Sequence, residues 1–252
     1  MQPADTDLSD KVLLITGAAR RVGAVIATHC HALGMRIAVH AHHSTSEQAT
    51  LVAKFNAERR DSAIALQGDL NQAGVHTSLV AHTLQQWGRL DALINNASSF
   101  YPTPIGSIEW SQFEDLIGSN LRAPLFLAQA AATALAAHAG VIINIIDIHG
   151  QKPLKDYPVY SAAKAGLWML TLSLARELGP TIRVNGIAPG PVLWPEASMD
   201  MARQHDIISR TALKRAGSPT DIAKAVIFML RDAPYITGQI LAVDGGRSAA
   251  GV

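Results

Sequence analysis

The chain has 252 residues, 48% of them hydrophobic and 16% charged, which is typical of a compact globule and excludes a fibrous or largely disordered protein. Its 21 basic and 20 acidic residues give a formal charge of +1 without long blocks of one sign, so we expect no nucleic acid or membrane partner. Cys30 is the only cysteine, which rules out an intrachain disulfide. Residues 1–10 are polar and lack the apolar stretch of a secretory signal, and we expect a cytoplasmic protein.

Short segments rich in β-branched residues alternate with longer segments of helical spacing. Strands are predicted at 12–16, 36–40, 63–67, 92–95, 141–146, 182–187 and 240–243. Helices are predicted at 22–33, 47–59, 75–87, 112–137, 159–178 and 219–230. Such alternation implies right-handed crossovers and a parallel sheet covered on both faces. We therefore predict one α/β domain over residues 1–252, with a Rossmann-type, doubly wound, seven-stranded parallel sheet and helices on both faces.

The segment after the sixth predicted strand departs from this alternation. Residues 189–210 combine several prolines with a glycine, ahead of a short helical segment. An irregular insertion at the carboxyl edge of a parallel sheet is a common place for a substrate lid. We predict a substrate loop at about 189–210, with Trp194 as a lid contact. Packing of Trp194 against the short helix would explain that residue equally well.

The first predicted strand leads directly into a glycine-containing turn and then a helix. The turn reads Thr16-Gly17-Ala18-Ala19-Arg20-Arg21-Val22-Gly23. Gly17 can adopt a backbone conformation that a side chain would forbid, and Gly23 permits close contact between helix and sheet. The helix amino terminus offers free N–H groups to a pyrophosphate. An ordinary tight turn is the alternative, but this setting at the start of an α/β chain favours nucleotide binding.

The end of the second predicted strand indicates which nicotinamide cofactor is used. An NAD-specific Rossmann domain places an acidic residue there. This chain instead reads His40-Ala41-His42-His43-Ser44. These side chains, together with Arg20 and Arg21, can donate hydrogen bonds to a 2′-phosphate, and we predict NADPH as the cofactor. A metal site is the alternative, but no carboxylate or thiolate lies within ligand spacing of the histidines, and we predict no metal.

Tyr160 and Lys164 form the predicted catalytic pair. They are four residues apart on a predicted helix, so their side chains share one face. A nearby ammonium favours the phenolate, and we expect it to move the tyrosine pKa toward neutrality. An exposed polar pair is the alternative. Ser98 after the fourth strand, Asn120 in the next helix and Asp147 after the fifth favour an active site.

These motifs resemble the short-chain dehydrogenase/reductase family across essentially the whole chain. The matching segments are the Thr16-Gly17 turn, Asn95-Asn96-Ala97, Tyr160-x-x-x-Lys164, Pro189-Gly190 and Val243-Asp244-Gly245-Gly246. The resemblance implies that Tyr160 donates a proton, Lys164 lowers its pKa and binds the nicotinamide ribose, and Asn120 orders a relay water. The chain departs from the family at two positions, with Arg21 for a turn glycine and Asp147 for a serine. The second departure puts simple ketone reduction in doubt.

Four segments are similar to the pteridine reductase branch of that family. They are Ala18-Ala19-Arg20-Arg21, His43-Ser44, residues 95–104 and Asp147. The resemblance implies hydride transfer from NADPH to a dihydropteridine or an oxidised pterin, with folates as further candidates. Phe100 would stack on the flat heterocycle, and Asp147 would exchange a proton with a ring nitrogen. Phe100 as ordinary core and Asp147 as a structural carboxylate are the respective alternatives.

The expected site residues fall into three groups. The catalytic residues are Asn120, Asp147, Tyr160 and Lys164. The cofactor-binding residues are Gly17, Arg20, Arg21, Val22, Gly23, His40, His42, His43, Ser44, Asp69, Leu70, Asn96, Ala97, Ser98, Tyr160, Lys164, Pro189 and Gly190. The substrate-binding residues are Arg21, Ser98, Phe100, Asp147, Tyr157, Tyr160 and Trp194. The family resemblance also implies a homotetramer.

Other functions remain open on the sequence. A carbonyl or 3-oxoacyl thioester reductase of the same family would keep the reaction class, with Asp147 replacing serine. An enoyl reductase fits less well, because those relatives separate tyrosine and lysine more widely than Tyr160 and Lys164. A non-catalytic NADPH-sensing module is a third hypothesis, and the intact Tyr160, Lys164 and Asn120 argue against it.

Overall fold

One parallel sheet forms the centre of the molecule. The computed structural model describes residues 7–193 and 200–249. The strands are β1 (Val12–Ile15), β2 (Arg36–Ala41), β3 (Ala63–Gln67), β4 (Ala92–Asn95), β5 (Val141–Ile145), β6 (Arg183–Pro189) and β7 (Ile240–Val243). All pairings are parallel, in the order β3-β2-β1-β4-β5-β6-β7. The predicted seven-stranded α/β fold is confirmed.

Helices cover both faces of the sheet. They are α1 (Arg21–Ala32), α2 (Thr45–Glu58), α3 (Val75–Trp87), α4 (Trp110–Ile117), α5 (Ala123–Ala136), α6 (Pro158–Leu178), α7 (Met201–Ser209) and α8 (Pro219–Ile227). Successive strand side chains point to opposite faces. Leu13 and Ile15 accordingly pack in one apolar cluster, and Val12 and Leu14 in another. No helix in the described part of the chain is long and apolar enough to cross a membrane.

The strand order reverses where β1 lies between β2 and β4. Leu13 of β1 is in register with Ile37 of β2 on one side and with Ala92 of β4 on the other. The connection after β1 leads to β2 and the connection after β4 leads to β5, in opposite directions along the sheet. This divergence opens a crevice at the carboxyl ends of β1 and β4. The turn after β1 and the segment after β4 meet there, so the fold brings the predicted nucleotide and catalytic motifs to one edge.

The long helix predicted at 112–137 is instead three pieces. It begins at Trp110, where the Gln112 side chain accepts a hydrogen bond from the Glu109 N–H at 3.0 Å. A π turn over Gly118–Arg122 then separates α4 from α5. Pro124 has no N–H to bond the carbonyl of Asn120 four residues earlier, which favours a wider turn there. A second π turn, Phe228–Asp232, follows α8.

The predicted substrate loop is partly described. β6 extends through Pro189, beyond the expected end of the strand, and α7 lies within the loop. An aspartate caps α7: the Asp200 carboxylate accepts a hydrogen bond from the Ala202 N–H at 3.2 Å. Trp194, the predicted lid contact, lies outside the described residues.

Candidate active site

The turn after β1 depends on its two glycines. Gly17 has a φ of +61°, and a Cβ there would lie 2.8 Å from the Ala97 Cα. A Cβ on Gly23 would lie 2.4 Å from the Gly17 carbonyl oxygen. The Asn96 side chain ties this turn to the end of β4, donating to the carbonyls of Thr16 at 2.8 Å and Gly17 at 2.9 Å. The result is a fixed cradle of backbone at the amino terminus of α1.

Arg21 occupies the turn position where the family usually has a further glycine. Its φ is +54°, in the left-handed region that costs a side-chain-bearing residue about 1–2 kcal/mol. Arg20 and Arg21 are exposed and line the same cavity as the glycine cradle. Backbone strain that persists at such a point is a recurrent feature of ligand sites.

The histidines after β2 divide into two kinds. His40 is 1% exposed; its Nδ1 accepts from the Gly17 N–H at 3.3 Å, and its Nε2 donates to the Gly68 carbonyl at 3.1 Å. Burial lowers the pKa of His40 to about 4, so the ring is neutral. We expected His40 to donate to the cofactor phosphate, but both ring nitrogens are engaged by backbone, and its role here is to hold the turn. His42 and His43 are exposed and stacked, with ring centroids 3.5 Å apart.

Asp147, Tyr160 and Lys164 meet at the carboxyl end of β5. The Tyr160 hydroxyl donates to Asp147 Oδ2 at 2.8 Å. The other carboxylate oxygen, Oδ1, accepts from the His149 N–H at 2.8 Å. Lys164 donates to the Ile145 carbonyl at 3.1 Å, and its Nζ lies 5.6 Å from the centre of the Tyr160 ring. Proline at the start of α6 sets the first turn of the helix that carries both Tyr160 and Lys164.

The Tyr160 pKa lies in the opposite direction from the one that the sequence predicted. Burial, and then the charge of Asp147, raise the pKa of Tyr160 well above its ordinary value of 10.0. The expected shift of the Tyr160 pKa toward neutrality is wrong for this arrangement, because burial and the adjacent carboxylate raise the pKa more than the hydrogen bond with Ser98 lowers it. Burial also lowers the pKa of Lys164 from 10.5 to about 8. Tyr160 is therefore a protonated phenol that is hydrogen-bonded to Asp147 and can act as a proton donor.

Asn120 reaches the site through Ser98. The Ser98 hydroxyl donates to Asn120 Oδ1 at 2.7 Å. The Asn120 amide nitrogen donates to the carbonyls of Ser99 at 2.9 Å and Leu116 at 3.0 Å. Asn120 is 1% exposed and lies on the π turn, behind the cavity wall. Its position makes it a support for Ser98, which does line the cavity.

Phe100 forms a partly exposed aromatic platform that packs against Tyr157 and the buried Tyr160. Its ring stacks on Tyr157 with centroids 4.7 Å apart and an interplanar angle of 16°. It meets Tyr160 edge-on, with centroids 4.8 Å apart and an angle of 75°. Phe100 is 43% exposed, so it is not the ordinary core residue that the sequence alone allowed. This geometry leaves ring surface available to a planar ligand.

A single large cavity of about 1170 Å³ joins these groups. Every expected site residue in the described part of the chain lines it, apart from Asn120. Further lining residues were not predicted individually: Leu193, Asp206 and Ile207 fall within the predicted substrate loop, whereas His149 and Arg247 were missed. Two signals were available: His149 follows Asp147 closely, and Arg247 directly follows the family's closing Asp-Gly-Gly motif. Among the described residues no group of three or more His, Cys, Asp or Glu side chains could hold a metal ion.

Comparison with known proteins identifies the family. A family model described as enoyl-(acyl carrier protein) reductase matches residues 17–248. Pteridine reductase 1 of Leishmania tarentolae is 37% identical, over 94% of this chain and 96% of that protein. A 3-oxoacyl-[acyl-carrier-protein] reductase of Staphylococcus aureus is 33% identical, over 94% of this chain and 97% of that protein. With its parallel sheet, glycine turn and Tyr160–Lys164 pair, the chain belongs to the short-chain dehydrogenase/reductase family of oxidoreductases.

Proposed function

We propose that this protein is an NADPH-dependent pteridine reductase, acting on a dihydropteridine or an oxidised pterin. The observation that carries the proposal is the hydrogen bond of 2.8 Å from the Tyr160 hydroxyl to Asp147, beside the Phe100 platform. A proton donor coupled to a carboxylate suits a substrate that must be protonated at a ring nitrogen. An aromatic platform suits a flat heterocycle.

The residues at the β1 and β2 ends fit a dinucleotide phosphate. Gly17 and Gly23 let the turn pack closely against Ala97 and against itself where a Cβ would collide, and the amino terminus of α1 favours negative charge. His42, His43 and Ser44 supply donors where an NAD-specific site has a carboxylate. When bound, NADPH supplies the hydride. We propose that Lys164 and Asn96, both lining the cavity, help to hold it.

Asp147 and Tyr160 form the pair that we propose supplies a proton to the substrate. Tyr160 keeps its proton because burial and the Asp147 charge raise its pKa. Transfer of that proton to a basic ring nitrogen would leave a phenolate beside a carboxylate, and the Lys164 ammonium, 5.6 Å from the ring centre, offsets that charge. Asp147 can also pair with the amino-pyrimidine edge of a pterin, which a serine does poorly.

A carbonyl or 3-oxoacyl reductase is the second candidate. The identity to the 3-oxoacyl-[acyl-carrier-protein] reductase supports it, over nearly the same share of the chain as the match to pteridine reductase 1. The position of Asp147 argues against it, since a carboxylate that accepts a hydrogen bond from the Tyr160 hydroxyl repels the electron-rich oxygen of a ketone. Substrate comparison separates the two candidates.

The test follows NADPH oxidation by the purified protein. Dihydrobiopterin, dihydrofolate and folate form one arm, and a panel of small ketones and a 3-oxoacyl thioester form the other. We expect kcat/KM for at least one pteridine to exceed that for every carbonyl substrate by a factor of 100 or more. Faster reduction of a ketone or thioester than of any pteridine would overturn the proposal.

We also propose that the protein is a homotetramer. Apolar side chains on α5 and α6 are partly exposed in the single chain: Phe126 is 41% exposed, Met169 63% and Leu172 36%. We propose that these side chains lie in a contact with another copy of the chain, since exposed apolar patches are typical of such contacts. Light scattering coupled to gel filtration should give a mass near four times 26.8 kDa. A monomer mass would contradict this proposal.

A further inference from the structure

The cavity continues past Asp147 toward the β7 side of the sheet. Its lining there comes from the segment after β6, from α7 and from the segment after β7, and includes Leu193, Ile207 and Arg247. The proposed cofactor contacts lie at the ends of β1, β2, β4 and β6, and Asp147 follows β5. Because β6 and β7 follow β5 in the sheet order, Arg247 lies beyond the reducing centre, on the side away from β2. A substrate substituent that extended in that direction would reach Arg247.

The backbone on either side of Arg247 is held in place. The Asp244 carboxylate accepts from the Gly246 N–H at 2.8 Å and from the Ser248 N–H at 2.7 Å. The Lys152 ammonium, from the loop that also carries Asp147, donates to the carbonyl of Ser248. Arg247 is therefore attached to a segment with a fixed position relative to the reducing centre, as a recognition residue requires.

The Arg247 guanidinium keeps its charge available. Its Nη1 donates to the Ile207 carbonyl at 2.9 Å, and among the described residues this is its one hydrogen-bond partner. Asp206 lines the same part of the cavity, but its carboxylate is paired with Arg210 at 3.0 Å. A guanidinium has five donors and is always charged, so four donors and the positive charge remain for a ligand.

We propose that Arg247 is a specificity residue that binds an acidic tail on the substrate heterocycle. The proposal rests on the proposed pteridine reductase function and adds a preference for pteridines that carry a carboxylate-bearing substituent. A carboxylate matches the planar fork of a guanidinium and can form two parallel hydrogen bonds with it. The phosphate of an acyl-carrier thioester has similar charge, and it enters the test as a competing ligand.

The test uses Arg247→Met and Arg247→Lys in the full-length protein. Dihydrofolate carries a glutamate tail, and dihydrobiopterin carries a neutral one. For Arg247→Met we expect KM for dihydrofolate to rise about 10- to 100-fold, the effect of losing a charge-assisted hydrogen bond, with kcat and KM for dihydrobiopterin within about twofold. Arg247→Lys should recover part of the loss. Calorimetry of folate and biopterin with the NADP⁺-loaded protein should show the same split without turnover.

A neighbouring substitution distinguishes recognition from a structural effect. Lys152→Met removes another tie of the same segment and leaves the Arg247 charge in the cavity. It should leave the ratio of the two KM values unchanged. An equal change for both substrates in Arg247→Met, no change for either, or the same shift in Lys152→Met would overturn the assignment. So would tighter binding of pantetheine 4′-phosphate than of folate. Failure of the proposed function can be told apart from failure of the Arg247 assignment, because the wild-type protein would then oxidise NADPH with neither pteridine.

Discussion

The two ends of the cavity are built in different ways. At the β5 end, the Tyr160 hydroxyl donates to Asp147 at 2.8 Å and Lys164 donates to the Ile145 carbonyl at 3.1 Å, and the exposed fractions of Tyr160 and Lys164 are 4% and 2%. At the β2 end, His42 and His43 are exposed and contact each other through their rings. Burial shifts the pKa values of Tyr160 and Lys164 strongly.

This difference matches two different tasks, which are proton transfer at the β5 end and selection between the two nicotinamide cofactors at the β2 end. Proton transfer requires groups whose pKa values are set by their surroundings, and burial at low dielectric provides this. Selection between two cofactors that differ by one phosphate requires only donors near that phosphate, and water can screen them. Substitutions at the β5 end should therefore have large effects, and those at the β2 end should have small, salt-dependent effects.

The largest effect is expected for Tyr160→Phe. The change removes the proton donor while leaving the ring that packs against Phe100, so turnover should fall by a factor of about 10²–10⁴. NADPH affinity, measured by calorimetry, should remain within a few-fold of the wild type. Tyr235→Phe makes the same chemical change at a fully exposed position and should leave turnover unchanged. Full activity in Tyr160→Phe would move the proton donor to another group, with Asp147 next.

Lys164→Met should stabilise the fold at neutral pH. A pKa of about 8 in the folded protein against an ordinary value of 10.5 corresponds to an unfavourable contribution of about 3 kcal/mol below pH 8. Since the unfolded chain binds more protons between pH 8 and 10.5, the wild type gains stability as pH rises through that range. Urea unfolding from pH 7 to 10 should show that the stability advantage of Lys164→Met over the wild type shrinks as pH rises. The variant should bind NADPH more weakly than the wild type. A difference in the free energy of unfolding that stayed constant with pH would refute the lowered pKa of Lys164.

His40 should make the fold sensitive to mild acid. Its folded pKa of about 4 lies below the ordinary 6.5, so stability is fully present above pH 6.5 and is lost as pH falls toward 4. Between pH 6.5 and pH 5 the loss should be about 2 kcal/mol in the free energy of unfolding. His40→Asn should flatten that slope relative to the wild type. His82→Asn, at an exposed site, should leave it unchanged.

The smallest effect is expected at the β2 end. Removing both exposed rings in His42→Ala with His43→Ala should weaken NADPH binding about 3- to 10-fold, the range for lost hydrogen bonds at an exposed site. NADH binding should change less than twofold, and the NADPH effect should diminish as salt is raised. Calorimetry at low and high salt measures both. A preference for NADH in the wild type would contradict the assignment of this end.

The sequence predicted the sheet well because its strands are buried on both faces. Leu13 and Val12 face different clusters, and such continuous apolar runs are typical of parallel strands. The π turn at Gly118–Arg122 was missed, because helical spacing continues across it and the missing N–H of Pro124 is a local effect. The strand ends near the site were placed to within about two residues.

Protonation states could not be predicted from the sequence. Spacing predicted that Tyr160 and Lys164 share a face of α6, and Lys164 Nζ does lie 5.6 Å from the centre of the Tyr160 ring. Their pKa values, however, depend on how deeply α6 buries them and on the distance to Asp147, which only packing determines. His40 was assigned to the phosphate because its depth behind the turn is invisible in a linear pattern. Arg247 was missed for a similar reason, since it is brought to the cavity only by the closing strand.

Asp147→Ser tests whether the Asp147–Tyr160 pair makes this family member a pterin reductase. Both activities would be followed through NADPH oxidation, with a pterin and with the best ketone from the panel. Pterin turnover should fall by a factor of about 10²–10⁴, because the carboxyl no longer assists proton transfer, while NADPH affinity is kept. Ketone reduction should survive or improve. Unchanged pterin turnover together with lost ketone turnover would contradict the account and support the carbonyl reductase instead.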